Sequence, residues 1–513
     1  MTSKEGAYTP PPEVYQAGSA TYGRLFRESA SLNSERTALI EGARSRSYAE
    51  LNERSDRMAR VLLDRGLDRG DRVALLTRNC IEFVEVELAA AKIGAISVNL
   101  NWRQTPAELA HCVCLTAPSF IVSGEEFVAP LRDAGWETDL VIGCGYDAAL
   151  DAVDPADLPT VYVEGEDGLC ILFTSGTTGM PKGALISHRA MVARALIFAT
   201  ETGAPKDDTF IAWSPLFHMG SNDFTLATLL RGGQIVIIDG YDADKMIDAI
   251  EEYAVHYVTV VPGMIEDFIT HFKARDAKPK PIGLIGAMAD LVPRPLLKEI
   301  TTLLNAPYFN TFGSTETGNP PASASLIPVG EAPESLSKKQ NDFCEIRLVD
   351  ADGNDVVDGE PGELAIRGPS VFSGYWGNDA ANQEAFRGGW FHMGDVFRRN
   401  ADGSLDFVDR VKYMIKSGGE NIYPAEIEQH IMVDERILDV AVVRKSHEKW
   451  GEVPVVFAAR SDQALTPEDV IGMCRGRIAN YKLPKEVHFI EMDDLPRSTS
   501  GKIQRHILEE RLR

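Results

Sequence analysis

No apolar run in this chain is long enough to cross a bilayer. Its most apolar stretch, residues 84–100, is broken by Glu85, Glu87 and Lys92, charges that a spanning helix does not comfortably carry. Positive charge is in short supply: 52 Lys and Arg stand against 76 Asp and Glu, a formal net charge of −24. A surface so negative repels nucleic acid and anionic lipid, which excludes both as general partners. Any anionic ligand must therefore be held by a local, loop-built site. Cysteine is scarce and odd in number, seven in 513 residues, and the one-residue gap between Cys112 and Cys114 is neither a metal nor a redox spacing. Cys170 and Cys474 lie in apolar runs and read as buried thiols, so the expected setting is reducing and cytoplasmic. The polar, Pro-rich start, residues 1–12, does not read as a signal peptide, nor the terminal Leu512-Arg513 as a peroxisomal address. Internal repeats and low-complexity segments are absent too.

What is present is the pattern of a large globular chain. Its length is too great for one hydrophobic core and predicts two to four domains. Helical and strand patterns alternate over most of it. Leu51, Met58 and Leu62 share one helical face, Gly66 ends that helix, and residues 73–76 follow as a strand. Met246, Ile247 and Ile250 mark another helix, and residues 256–261 a strand ended by Pro262. This predicts α/β architecture with a mainly parallel, buried sheet. After about residue 340 short β runs take over, punctuated by the hairpin signals Asp352-Gly353, Asp358-Gly359 and Asp402-Gly403. The last hundred or so residues begin afresh: a helix from Pro424, strands at 438–443 and 453–459, a helix from about 466, and a strand at 486–490. They predict a compact α+β unit, joined at Asp409-Arg410-Val411-Lys412.

One segment carries the most chemistry. Phe173-Thr174-Ser175-Gly176-Thr177-Thr178-Gly179-Met180-Pro181-Lys182-Gly183 concentrates glycine, small hydroxyls and a lysine. Its backbone N–H groups can curl around an anion because glycine reaches positive φ at little steric cost. The hydroxyls add donors and Lys182 a point charge, an inventory that fits phosphate better than it fits a plain solvated turn. The segment is not a Walker A sequence, since Pro181 precedes the lysine. Residues 169–173 before it and 183–186 after it read as strands, with Ser187 capping the helix that carries Met191, Ala195 and Leu196. A loop between two strands must hold phosphate with its own amides and side chains.

Four further segments bear on this. Asn310-Thr311-Phe312-Gly313-Ser314-Thr315-Glu316-Thr317-Gly318 offers an aromatic for base stacking, hydroxyls for phosphate and a carboxylate for Mg²⁺, or else is a plain loop. Trp390-Phe391-His392-Met393-Gly394-Asp395 ends in a carboxylate suited to a ribose diol, or in a solvated aspartate. Asp409-Arg410 is either a grip on ribose or phosphate or a surface ion pair. Pro496-Arg497-Ser498-Thr499-Ser500-Gly501-Lys502 is by itself a basic tail loop. Taken together, these segments supply every group that one nucleotide requires.

Those segments, with Pro215-Leu216-Phe217-His218, Gly362-Glu363-Leu364, Gly374-Tyr375-Trp376 and residues 409–426, occur in the order seen in adenylate-forming (ANL superfamily) enzymes. From about residue 20 to its end the chain resembles acyl-CoA synthetases, firefly-type luciferases and the adenylation domains of peptide synthetases. The resemblance implies a large N-terminal domain of α/β sheets plus a small β-barrel-like subdomain, residues 1–409. A small mobile α+β domain, residues 410–513, would follow, hinged at Lys412. It implies ATP, Mg²⁺ and coenzyme A. By similarity, Thr174, Ser175, Gly176, Thr177, Thr178, Gly179 and Lys182 hold the β- and γ-phosphates, Phe312 packs on adenine, and Thr315 contacts the α-phosphate. Thr174 and Glu316 support Mg²⁺, and Asp395 takes the ribose hydroxyls with help from Arg410. Gly418, Gly419 and Glu420 match the loop lining the thiol's approach, and Lys502 the lysine that bridges carboxylate and α-phosphate. His218 matches a residue that closes the acyl pocket, with a core histidine as the alternative.

The chain departs from the common pattern at three places. Phe312 stands where the family often has Tyr, and Met393 where it often has Thr. Ala287 and Met288 stand where a Gly-Gly pair lines the acyl pocket, and their bulk should narrow or bend it. Phe217, Met219, Met264, Ala287 and Met288 supply no charge, so the acid is expected to be apolar. The leading expectation is an AMP-forming acyl-CoA ligase. Two alternatives stay open: an adenylating enzyme that passes acyl-AMP to a carrier protein or partner, and a sensor that binds nucleotide or acyl-CoA without turnover. A homodimer is compatible with the sequence, which does not specify the oligomeric state.

Overall fold

The computed structural model describes residues 11, 14, 18–159, 161–174, 180–418, 420–497 and 503–512. They fall into two compact units, one within Met1–Glu345 and Arg367–Glu384, the other within Ile346–Ile366 and Ala385–Arg513.

Two sheets organise the first unit. The six-stranded sheet runs Leu140–Ile142, Phe120–Gly124, Arg72–Leu76, Ile96–Asn99, Gly168–Thr174 and Lys182–Ser187, parallel except for the last pair. The eight-stranded sheet runs Leu326–Ile327, Tyr308–Phe309, Ile282–Ile285, Val255–Val258, Thr209–Ala212, Gln234–Ile237, Thr37–Glu41 and Arg44–Ser47, parallel inside and antiparallel at both edges. Helices cover the apolar strands, as parallel sheets require. The helix read from Leu51, Met58 and Leu62 is Tyr48–Asp64, opened by a reciprocal cap between Ser47 and Glu50. Ser187 accepts from the Ala190 N–H at 3.2 Å and opens the helix His188–Thr202, as the sequence predicts. The strand expected over 256–261 stops at Val258. Its neighbour on one side ends level with it at Ile285, where Gly286 turns away at φ +77°.

The apolar stretch broken by charges is the helix Ile81–Ile93, buried along its whole length, followed by the strand Ile96–Asn99. Each of Glu85, Glu87 and Lys92 has hydrogen-bonding partners in the interior. Glu85 meets Arg54 at 2.5 Å and accepts from the Tyr146 hydroxyl at 3.0 Å. Glu87 accepts from the Asn222 amide at 2.9 and 3.0 Å, and burial pushes its carboxyl up to about 7. Lys92 donates to Asp56 at 2.8 Å and Ser55 at 2.7 Å, and burial lowers its ammonium to about 7. Among the described residues no helix is long and apolar enough to cross a membrane. All seven cysteines are free thiols, with Cys170 and Cys474 buried.

The second unit holds the strands expected after residue 340. A four-stranded sheet runs Glu345–Val349, Pro361–Arg367, Phe391–Arg399 and Leu405–Arg410, and the Asp402-Gly403 turn joins its last two strands as an antiparallel pair. A five-stranded sheet is built on the long antiparallel pair Ile437–His447 and Gly451–Arg460, with Ile415–Ser417, Glu420–Ile422 and Glu486–Phe489 added to it. The helices Pro424–Ile431 and Pro467–Cys474 each begin on a proline, and a reciprocal cap between Thr466 and Asp469 opens the second.

Candidate active site

Ligands of open α/β sheets gather outside the carboxyl ends of the strands. Four adjacent parallel strands end together in the first unit: Thr209–Ala212, Val255–Val258, Ile282–Ile285 and Tyr308–Phe309. The segments that leave them, 213–218, 259–264, 286–291 and 310–316, carry Phe217, His218, Met264, Ala287, Met288, Phe312, Thr315 and Glu316. The sheet order thus brings these eight residues to one edge of the eight-stranded sheet, while Thr174 and Lys182 lie on the six-stranded one.

Phe217 is buried and meets Trp102 edge-on at 6.4 Å. His218 is exposed and is not a core histidine; its Nδ1 accepts from the Gly220 N–H at 3.1 Å and opens the helix Met219–Leu230. Met264 is half-buried at the end of the turn Pro262–Met264. Ala287 and Met288 form a tight turn. The Tyr308 hydroxyl accepts from the Ala287 N–H at 3.1 Å and donates to its carbonyl at 2.7 Å, and the Met288 N–H donates to Thr311 Oγ1 at 3.1 Å. A Cβ on Gly286 would stand 2.0 Å from the Tyr308 ring. Gly286→Ala is therefore expected to lower stability by about 3 kcal/mol or more, the sum of overpacking and positive-φ strain, read by urea denaturation.

The strands flanking the phosphate-type loop pair in register, Thr174 opposite Lys182, and Thr174 Oγ1 donates to the Lys182 carbonyl at 3.5 Å. Ser175, Gly176, Thr177, Thr178 and Gly179 lie outside the described residues, as do Gly419 and Lys502. Residues 373–376 extend the sheet beside Lys182–Ser187 through backbone bonds at Gly183 and Leu185. This places Tyr375 between two candidate groups. The Lys182 ammonium lies 4.9 Å from the Tyr375 ring centroid, and the Tyr375 hydroxyl donates to Glu316 Oε1 at 2.8 Å. Burial, then the Glu316 charge, raises the Tyr375 hydroxyl well above its usual range, so it remains a donor. In the sequence Tyr375 stands within Gly374-Tyr375-Trp376, which by itself signals no role for its hydroxyl.

The loop bearing Thr315 and Glu316 is a tight hairpin, Gly313–Ser314 against Gly318–Pro321. A Cβ on Gly313 would meet the Gly318 carbonyl oxygen at 1.9 Å, so only glycine fits there. Arg194, almost fully buried, clamps this loop. Its guanidinium donates to the Thr315 carbonyl at 3.0 Å and the Ser370 carbonyl at 3.1 Å, and pairs with Asp223 at 3.1 Å. The sequence reading missed Arg194; its one signal is a charge among the apolar positions Met191, Val192, Ala195 and Ile197.

The donor set fits one Mg²⁺ shared with substrate phosphates. Glu316 is half-buried and only its Oε1 is engaged by Tyr375 among the described residues. No cluster of three or more metal-ligating side chains occurs among them, and Mg²⁺ with a nucleotide takes one or two protein carboxylates and completes its shell with phosphate and water. Tyr375→Phe frees that carboxylate to rotate. It is expected to raise the Mg²⁺ concentration for half-maximal acid activation by roughly tenfold, the scale of a lost hydrogen bond to a charged group, with thermal stability measured alongside.

In the second unit, Asp395 is buried in register opposite Arg410, whose Nε lies 3.0 Å from its carboxylate. The Asp409–Arg410 segment is therefore not a simple surface ion pair: Asp409 is buried and accepts from the Arg410 and Ala425 N–H groups at 2.6 and 2.7 Å. Burial raises its carboxyl to about 6. Lys412 lies in the turn Val411–Tyr413, with its carbonyl accepting from Arg444 at 2.9 Å and its ammonium 4.5 Å from the Tyr413 ring centroid. The Gly418 N–H donates to the Trp450 carbonyl at 2.8 Å, and Glu420 opens the exposed end of Glu420–Ile422.

Comparison with known proteins shows the family. Residues 26–376 match the AMP-binding enzyme family, and residues 426–502 the AMP-binding enzyme C-terminal domain. Similar proteins include the indoleacetate–CoA ligase of Aromatoleum aromaticum, 35% identical over 93% of this chain and 95% of that protein. The feruloyl-CoA synthase of an Amycolatopsis species is 33% identical over 92% and 95%. Among solved structures, the Mycobacterium tuberculosis fatty acyl CoA synthetase superposes with a TM-score of 0.77 at 27% identity, over 96% of this chain and 98% of that one. The Bacillus subtilis o-succinylbenzoate CoA synthetase, solved with its acyl-adenylate intermediate, gives 0.82 at 26% identity over 94% and 97%. The chain belongs to the AMP-binding enzymes, the adenylate-forming superfamily.

Proposed function

We infer that the protein is an AMP-forming acyl-CoA ligase that activates an apolar, aryl-bearing carboxylic acid. ATP and the acid give acyl-AMP and pyrophosphate, and the thiol of coenzyme A then displaces AMP. One observation carries the reading: Lys182, Tyr375 and Glu316 form a contiguous cationic and acidic cluster, and the segment bearing Glu316 leaves the same sheet edge as those bearing the uncharged Phe217, Met264, Ala287 and Met288. The relatives named for indoleacetate and feruloyl-CoA act on acids with an aromatic ring, and the Phe217–Trp102 pair suits such a ring.

Thr174 to Lys182 hold the β- and γ-phosphates. Phe312 packs on adenine, Thr315 meets the α-phosphate, and Asp395 with Arg410 takes the ribose. Mg²⁺, held through Glu316 and Thr174, supplies charge neutralisation at the phosphates. Lys502 bridges the substrate carboxylate and the α-phosphate, which aligns them and removes much of the entropic barrier. Residues 410–513 turn about Lys412 between the half-reactions, so that Gly418 to Glu420 line the thiol's approach in the second. The seven free thiols favour the cytoplasm.

A panel of short, long, aromatic and polycyclic acids, assayed for ATP-driven pyrophosphate exchange and AMP release with coenzyme A, tests the reading. Aryl acids are expected to lead. If long-chain acids lead and aryl acids are inert, the substrate class is wrong. If no acid supports exchange, the ligase reading itself fails.

A further inference from the structure

Lys338 lies in the irregular stretch between the strands Leu326–Ile327 and Glu345–Val349, outside every motif named above. Its side chain is 0% exposed. The ammonium pairs with Asp290 Oδ2 at 2.6 Å and donates to Asn310 Oδ1 at 2.5 Å. Asp290 follows the Ala287-Met288 turn, and Asn310 opens the segment that carries Phe312, Thr315 and Glu316. Asn310 is itself fixed, donating to the Leu336 carbonyl at 3.0 Å. One buried cation therefore ties the segment after the Ala287-Met288 turn to the start of the segment that carries Phe312, Thr315 and Glu316.

The turn it braces is under strain. Met288 takes the left-handed conformation, φ 50° and ψ 58°, which costs a side-chain-bearing residue about 1 kcal/mol or more. It persists because Tyr308, Thr311 and Lys338 each hold one of residues 287, 288 and 290. A buried ion pair is weak evidence for stability, since an apolar replacement is often neutral or better. What a bridging ammonium supplies is geometry: several donors on one point, here spanning two acceptors from different segments.

We propose that Lys338 is a positioning residue for acid selection, clamping Asp290 to Asn310 so that the Ala287-Met288 turn presents one fixed wall to the acid beside the nucleotide. The inference rests on the acyl-CoA ligase reading of the same site. Without the clamp the turn is free to leave its left-handed state, the wall softens, and acids of different shape are accepted more evenly.

The test compares Asp290→Asn, Lys338→Met and the double variant. Asp290→Asn keeps an acceptor for the ammonium, and its ranking of acids is expected to stay within about threefold of wild type. Lys338→Met leaves Asp290 without its partner and should lower the melting temperature. The double variant removes both charges, so much of that stability should return, yet the kcat/KM ratio between the best and second acid should fall about tenfold, the scale on which a shaped pocket discriminates. The KM for ATP should stay within about threefold. A purely structural role predicts that the double variant recovers stability and acid ranking together, and that result overturns the proposal. If the double variant does not fold, an unchanged ranking in Lys338→Met overturns it equally. A wild-type protein that activates no acid refutes the ligase reading instead, so the two failures are distinguishable.

Discussion

Lys502→Ala is expected to slow acyl-AMP formation by about a hundred- to a thousandfold, the range seen when a preorganised charge-stabilising donor is removed, while thioester formation from supplied acyl-AMP changes little. The asymmetry follows from charge. In the first half-reaction a carboxylate must approach a phosphate, and two unit charges 4 Å apart repel by roughly 4 kcal/mol at an effective dielectric of 20. A bridging ammonium offsets that repulsion and steadies the charge that builds on phosphorus. In the second half-reaction the attacking thiol meets an acyl-AMP whose carboxylate is already joined to the phosphate as a mixed anhydride, and a lysine lodged there would obstruct it. Pyrophosphate exchange reads the first step and single-turnover thioester formation the second. Equal losses in both would falsify the division of labour.

Arg194→Met should produce the largest loss of stability, about 3–5 kcal/mol, because it strips the partner from a buried carboxylate. Asp223 lies within the helix Met219–Leu230, its carboxyl raised by burial and held down by the Arg194 charge. The same guanidinium donates to the carbonyls of Thr315 and Ser370, so the substitution also releases the hairpin that presents Thr315 and Glu316. Arg194→Lys separates the two effects. An ammonium retains the ion pair with Asp223 but lacks the planar fork that reaches both carbonyls. Its melting temperature should fall less than that of Arg194→Met, whereas the KM for ATP should rise about tenfold in both, the value of one to two charge-assisted hydrogen bonds. An unaltered KM for ATP in a folded Arg194→Lys protein would show that the clamp serves stability alone.

These two predictions come from different kinds of information. The Lys502 prediction draws on no coordinates: it rests on the order of the motifs along the chain and on the family resemblance they carry. The strands around Thr174 and Lys182, the Ser187 cap, the proline that opens Pro424–Ile431 and the helix beginning near 466 were also legible. Each depends on neighbours a few residues away, where apolar periodicity and capping chemistry act directly. Arg194 gave almost no signal, since the carbonyls it holds lie 121 and 176 residues further along.

The amino-acid sequence by itself determined the class of chemistry, the α/β character and the free thiols. Only the tertiary structure decided the partners: that Tyr375 stands between Lys182 and Glu316, that Glu87 is held by Asn222, and that Lys338 joins Asp290 to Asn310. Local pattern reports which side chains will be buried and in what backbone. Which buried charge meets which acceptor depends on sheet order and on contacts between segments remote in the chain, and those contacts exist only once it has folded.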